Sequence, residues 1–304
     1  MATERYDVTG RTVFVTGAAR GIGAAAAERM HARGANVALV GLEPERLEQL
    51  AAKLGERAAA YEADVTDIGS LEAAVRETVA RFGGIDVAIA NAGLSFGGSI
   101  AGGIPEQFER TIDVNLMGVW RTNRAVIAEI TRSRGYLLNV ASLSAIAHAP
   151  LMGAYTTSKS GVEALTDALR METAPTGARV GCAYFGFIDT DLVRASFALP
   201  TTKRLNDSLP GFLVRPAPLS SAIDAIERGV QRRSARVYAP RWVAAMGLLR
   251  GIGQPLTEWR TQRDPGLAEG IAMSDSSGEN QAHDPVLGVA ARALEEPSQV
   301  TQPG

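Results

Sequence analysis

Tyr155 and Lys159 stand four residues apart in Ala154-Tyr-Thr-Thr-Ser-Lys159, and Ser142 lies thirteen residues before the tyrosine. Four residues is about one helical turn, so the phenol and the ammonium share one face of a helix. A free phenol, with a pKa of about 10, is a poor proton donor or acceptor near neutrality. A cation beside it favours phenolate and is expected to lower that value. Ser142 supplies a hydroxyl for the same substrate oxygen. Together these groups suit moving a proton on or off a carbonyl or alcohol oxygen.

Such chemistry needs a hydride source, and the N-terminal segment offers a place for one. Thr12-Val-Phe-Val-Thr16 is a β-branched and aromatic run, followed at once by Gly17-Ala-Ala-Arg20-Gly21-Ile22-Gly23 and then by the helix formers Ala24 to Met30. Strand, glycine turn and helix is the order of a dinucleotide site: glycines let the backbone approach a pyrophosphate, and the helix N-terminus offers free N–H groups. A second apolar run, Ala35 to Val40, follows the helix.

The spacing Thr16-Gly17-x-x-x-Gly21-Ile22-Gly23 resembles the fingerprint of the short-chain dehydrogenase/reductase family. Further matches follow in order: Asp64-Val65, Asn91-Ala92-Gly93, Asn115, Ser142, Tyr155 and Lys159. The likeness spans about residues 8–240. It implies an NAD(P)-dependent enzyme with a catalytic set of Asn115, Ser142, Tyr155 and Lys159. Tyr155 is then the acid in reduction or the base in oxidation. Lys159 lowers the phenol pKa and binds the nicotinamide ribose, Ser142 holds the substrate oxygen, and Asn115 holds a water that relays protons to Lys159. The cofactor groove is lined by Gly17, Arg20, Gly21, Ile22, Gly23, Gly41, Leu42, Glu43, Asp64, Val65 and Asn91 to Gly93. Tyr155, Lys159, Gly186, Ile188 and Thr190 complete it. By the same resemblance the enzyme is a homodimer or homotetramer.

The residues that must position this set alternate between strand and helix patterns. Apolar runs at 12–16, 35–40, 58–62, 85–90, 135–141 and 179–185 read as strands, and 22–33, 44–54, 67–82, 106–132 and 154–173 as helices. A helix near 219–231 and a strand at 236–239 complete a seven-stranded parallel sheet, covered on both faces, in a doubly wound Rossmann-like α/β fold. Residues 1–240 form this catalytic domain, with a substrate lid at about 190–215. Residues 241–263 form an apolar and basic helical extension, and 264–304 an acidic, flexible, solvated tail. Trp242, Leu248, Leu249 and Ile252 give the extension an amphipathic pattern suited to packing over the site or against a sister subunit.

Composition narrows the class. With 304 residues, 46% apolar content and a net charge of −2, the chain can bury a large core and has no general pull toward nucleic acid. The single Cys182 cannot form an internal disulfide, His31, His148 and His283 show no metal-ligand spacing, and no stretch has the ~20 apolar residues of a membrane span. A cytoplasmic protein without a metal is expected.

Three positions depart from the family pattern. NAD-preferring relatives usually carry Asp where Gly41 stands, and NADP-preferring ones often carry Arg at 41 or 42; this chain reads Gly41-Leu42-Glu43. Arg20 resembles a contact to the NADP 2′-phosphate, while Glu43 could bind ribose hydroxyls or repel that phosphate. The balance favours NAD(H) over NADP(H). Phe187 replaces a customary proline before Ile188 and Thr190. The lid carries Leu192, Val193, Phe197, Leu199, Phe212 and Leu213, and Leu143, Ile146, Leu151 and Met152 lie beyond Ser142. A hydrophobic ketone or secondary alcohol suits such a pocket. Simpler explanations exist: Tyr155 and Lys159 as a surface helix pair, or Asp64 as the cap of the helix starting near Asp67. A protein that binds a dinucleotide and uses 241–304 for partner or membrane contact is the alternative of a different class.

Overall fold

The computed structural model describes residues 5–198, 202–203, 206, 211–264 and 266–276, and for Phe212, Leu213 and Ser276 the backbone alone. The lid position Leu199 lies outside them, as do the side chains of Phe212 and Leu213. Seven strands form one all-parallel sheet in the order β3-β2-β1-β4-β5-β6-β7: β1 Thr12–Thr16, β2 Asn36–Gly41, β3 Ala58–Glu62, β4 Val87–Ala90, β5 Tyr136–Val140, β6 Arg179–Phe185 and β7 Arg236–Ala239. Parallel strands need crossovers, and the helices that supply them cover both faces, so β1, β4 and β5 are buried from end to end.

One face packs α1 Gly21–Ala32 and α2 Pro44–Leu54 against the sheet, through residues such as Ala26, Met30 and Leu47. The other packs α3 Ile68–Phe82, with Leu71 and Val75, against Phe14, Val40 and Leu137. Asp67 caps α3 by accepting from Gly69 N (2.8 Å), so the suggested capping role belongs to Asp67 and not to Asp64. Chain order reverses between β1 and β4. The crevice at their C-terminal ends is the topological switch point where open α/β sheets bind ligands.

The helix expected over 106–132 comes in two parts, α4 Pro105–Ile112 and α5 Gly118–Arg132, joined by one π-helical turn at Asp113–Met117. Such turns concentrate at functional sites. Here the widened turn carries Asn115, and Gly118 next to it has no Cβ because Val65 Cγ2 would stand 2.7 Å from it. The chain continues through α6 Gly153–Thr173, α7 Asp191–Ala198 and α8 Leu219–Arg232. After β7 come α9 Trp242–Thr261 and α10 Gly266–Ser276. The stretch expected to be flexible from Asp264 onward therefore begins with a helix.

Candidate active site

The glycine loop is fixed by what surrounds it. Gly17 has φ +65°, and a Cβ there would stand 2.9 Å from Ala92 Cα. A Cβ on Gly23 would run into the Gly17 carbonyl oxygen. Asn91 clasps the loop: its Nδ2 donates to the carbonyls of Thr16 (3.1 Å) and Gly17 (3.3 Å), and its own N–H donates to Thr16 Oγ1 (3.1 Å). Asn91 is thus a brace for the loop. The N-terminus of α1 has no side-chain cap and no acidic residue in its first turn. Its first N–H groups and positive dipole end therefore remain available to an anion.

Around this loop the other groove positions take different parts. Thr190 faces Gly21, whose Cβ would lie 3.8 Å from Thr190 Cγ2, so the segment after β6 closes the groove opposite the loop. Ile188 is buried and bridges Ala217, and Gly186 N–H donates to Ala239 O (2.9 Å). Phe187 stands edge-on to Phe197 of α7 at 4.8 Å, joining the start of the lid to the departure at position 187. Val65 is a core residue. Asp64 accepts from Thr66 N (2.8 Å) and lies 3.7 Å from Arg110. At the end of β2, Arg20 and Glu43 form a two-pronged ion pair, Nε–Oε1 2.8 Å and NH2–Oε2 2.5 Å, and Arg46 adds a third contact at 3.1 Å. The sequence reading weighed Arg20 and Glu43 as opposing signals and did not find Arg46. The fold joins all three. Leu42 is half-buried beside them.

Beyond the groove, β5 delivers Ala141 and Ser142 to the same end of the sheet. Ser142 opens a single 3₁₀ turn, Leu143–Ala145. Its Oγ accepts from Ser144 N (3.1 Å) and lies 3.4 Å from Phe185 O. Tyr155 and Lys159 occupy one face of α6, with Lys159 Nζ 5.7 Å from the phenol ring centre. The helix-pair spacing is therefore that of an interior site: Lys159 is 4% exposed and donates to Val140 O (3.0 Å). Burial pulls its pKa down to about 8. Burial also pushes the Tyr155 phenol above its ordinary value, opposed by its hydrogen bond with Ser142. Desolvation is the larger of the two effects, and the Lys159 ammonium is directed to the Val140 carbonyl with its Nζ 5.7 Å from the phenol ring centre.

Asn115 is fully buried and engaged. Its Oδ1 accepts from Leu94 N (2.8 Å), and its Nδ2 donates to Leu94 O (2.8 Å) and to Ser158 Oγ (3.2 Å). Ser158 in turn donates to Tyr155 O (2.7 Å). Sequence reasoning missed Ser158. Its signal is a hydroxyl inside a helix, where such groups commonly bond back to the preceding turn. Gly93 sits between the two buried polar groups: a Cβ there would stand 3.1 Å from Asn115 Oδ1 and 3.5 Å from Lys159 Nζ. Leu151, just before α6, holds φ +61°, a costly conformation for leucine, and its carbonyl accepts from Gly98 N (2.8 Å).

A family model for short chain dehydrogenases matches residues 11–199 of the chain. The chain belongs to the short-chain dehydrogenase family. Among the relatives of this short-chain dehydrogenase, Nodulation protein G of a Rhizobium species is 32% identical over 203 residues, covering 66% of this chain and 79% of that protein. Oxidoreductase UcpA of Salmonella typhimurium is 33% identical over 227 residues, covering 73% and 86%. A solved structure of a candidate gluconate dehydrogenase from Agrobacterium tumefaciens superposes with a TM-score of 0.69, covering 78% of this chain and 97% of that one at 24% identity, which supports the shared fold alone. This short-chain dehydrogenase is accordingly an oxidoreductase, and membership implies a nicotinamide dinucleotide. The glycine loop and the uncapped end of α1 fit such a group. Among the described residues no helix is long and apolar enough to cross a membrane.

Proposed function

We propose that this enzyme interconverts an apolar ketone or aldehyde and its alcohol, with Tyr155 as the proton donor and acceptor. The observation that carries the reading is the convergence of the Ser142 hydroxyl, the Tyr155 phenol and the buried Lys159 ammonium beside the glycine groove. The nicotinamide, when bound, supplies or accepts the hydride. Ser142 holds the substrate oxygen and Tyr155 gives it a proton as charge develops there. A phenol raised by burial stays protonated at neutral pH, so it is set for reduction, and oxidation gains as pH rises. Lys159 stabilises the phenolate left after proton transfer, while Asn115, through Leu94 and Ser158, holds the loop after β4 against the catalytic helix.

The apolar surroundings support the substrate class: Leu143, Ile146, Leu151 and Met152 follow Ser142 in the chain, and Trp242 and Met246 pack on the cluster that holds Ile146. A panel pairing apolar ketones with carboxylated analogues, read by nicotinamide oxidation, tests this. The apolar member of each pair is expected to have the higher kcat/KM, and consistent preference for the carboxylates contradicts the reading.

For the cofactor we favour NAD(H). Glu43 holds Arg20 in a two-pronged pair and engages Arg46, so a 2′-phosphate would have to compete with a carboxylate already in place. Glu43→Gln removes that competitor. Paired titrations of NADH and NADPH are expected to shift toward NADPH by about tenfold or more, the scale of one hydrogen bond to a charged group. An unchanged ratio would clear the arginines of any part in the choice.

A further inference from the structure

The helix α9 uses only one side to hold the body of the protein. Val243 and Met246 pack with Ile146 and Tyr184. Gln254 accepts from His148 N (2.9 Å), and Arg250 grips both oxygens of Glu163 at 3.0 and 2.9 Å. Of the residues expected to cover the site or a sister subunit, Trp242 packs on this body, while Leu248, Leu249 and Ile252 face away from it. Leu248 is 87% exposed and Ile252 72% exposed, and Leu249, Leu256 and Trp259 are exposed with them. At about 100° per residue, Leu248, Ile252, Leu256 and Trp259 fall on one stripe, about 17 Å long at 1.5 Å per residue.

Charge says what fits this stripe. Arg241 stands at its start and Arg260 and Arg263 at its end, all exposed. Arg263 lies over the Trp259 ring at 4.5 Å. The one carboxylate of the helix, Glu258, is drawn to the packed flank by Gln254 (2.9 Å). A second copy docking through this face by two-fold symmetry sets arginine against arginine in either direction, Arg241 opposite Arg241 or opposite the Arg260–Arg263 end. An anionic surface meets no such conflict. We propose that this stripe is a docking surface for an anionic lipid membrane, with α9 lying in the interface, its leucines and Trp259 among the acyl chains and its arginines at the headgroups.

The test is co-sedimentation of the full chain with phosphatidylcholine vesicles, with and without phosphatidylglycerol. Three arginines near a charged surface are expected to raise affinity for the anionic vesicles on the order of a hundredfold, decreasing as salt is added. Leu248→Ser with Ile252→Ser should weaken that binding by about tenfold or more. Arg260→Glu with Arg263→Glu should remove the anionic preference, and turnover should stay at the wild-type level in both variants. Wild-type protein that binds neither vesicle overturns the proposal. Binding that survives both double substitutions also overturns it. A wild-type dimer that the Leu248/Ile252 variant splits, with no vesicle binding, overturns it and assigns the stripe to a second copy.

Discussion

Tyr155→Phe is expected to lower turnover by about three orders of magnitude while NADH affinity stays within about twofold of wild type. The magnitude is that of a positioned acid–base group. The substitution removes only the phenol oxygen. The ring keeps its place on α6, and Ser142 keeps its bond with Ser144 N and its contact with Phe185 O. Lys159 stays anchored on Val140 O, so its orientation does not depend on the phenol. Steady-state kinetics beside a fluorescence titration of NADH separates the two effects. Turnover within tenfold of wild type would assign the proton to another group; parallel loss of NADH binding would make Tyr155 a structural support of the groove.

Lys159→Met is expected to abolish useful turnover and yet make the fold more stable at pH 7. The ammonium has an ordinary pKa of about 10.4 and is held at about 8 by burial. Between those values the unfolded chain binds more protons than the folded one, so this group makes stability rise with pH across that window. Below pH 8 the folded protein carries the full desolvation penalty, about 3 kcal/mol for a depression of this size. Methionine removes the cation and keeps most of the volume, but leaves Val140 O without its partner, at about 1–2 kcal/mol. A net gain of about 1–2 kcal/mol at pH 7 is expected by urea denaturation, crossing zero at about pH 9 and turning into a net loss of about 1 kcal/mol by about pH 10. A variant equally destabilised at both pH values would mean that burial of this ammonium carries no net penalty.

The sequence was most legible where local pattern and burial agree. Thr12–Thr16 reads as a strand because every residue suits a central parallel position, and all five are buried. The Tyr155–Lys159 spacing identified a shared helix face for the same reason. What lay hidden depends on contacts across distance. Arg20 and Glu43 are 23 residues apart, and only the fold joins them and adds Arg46. The π-helical turn at Asn115 carries a side chain bonded to Leu94 and Ser158, and no periodicity in 106–132 reveals either the turn or the bonds. The direction of the phenol shift depends on burial, opposed by the hydrogen bond with Ser142, and the four-residue spacing shows neither. In α9, apolar spacing identified a stripe but could not say which side faces the body; Val243, Met246 and the Arg250–Glu163 pair decide that.

The central claim is hydride transfer at a site where Tyr155 moves the proton. The most direct measurement supplies NADH deuterated at its transferable position with an apolar ketone, and reads the alcohol by mass spectrometry. The account predicts one deuterium on the new carbinol carbon with wild-type enzyme, and loss of that product with Tyr155→Phe. Bound NADH with no labelled alcohol from any apolar carbonyl, or equal labelling by the Tyr155→Phe enzyme, would contradict it.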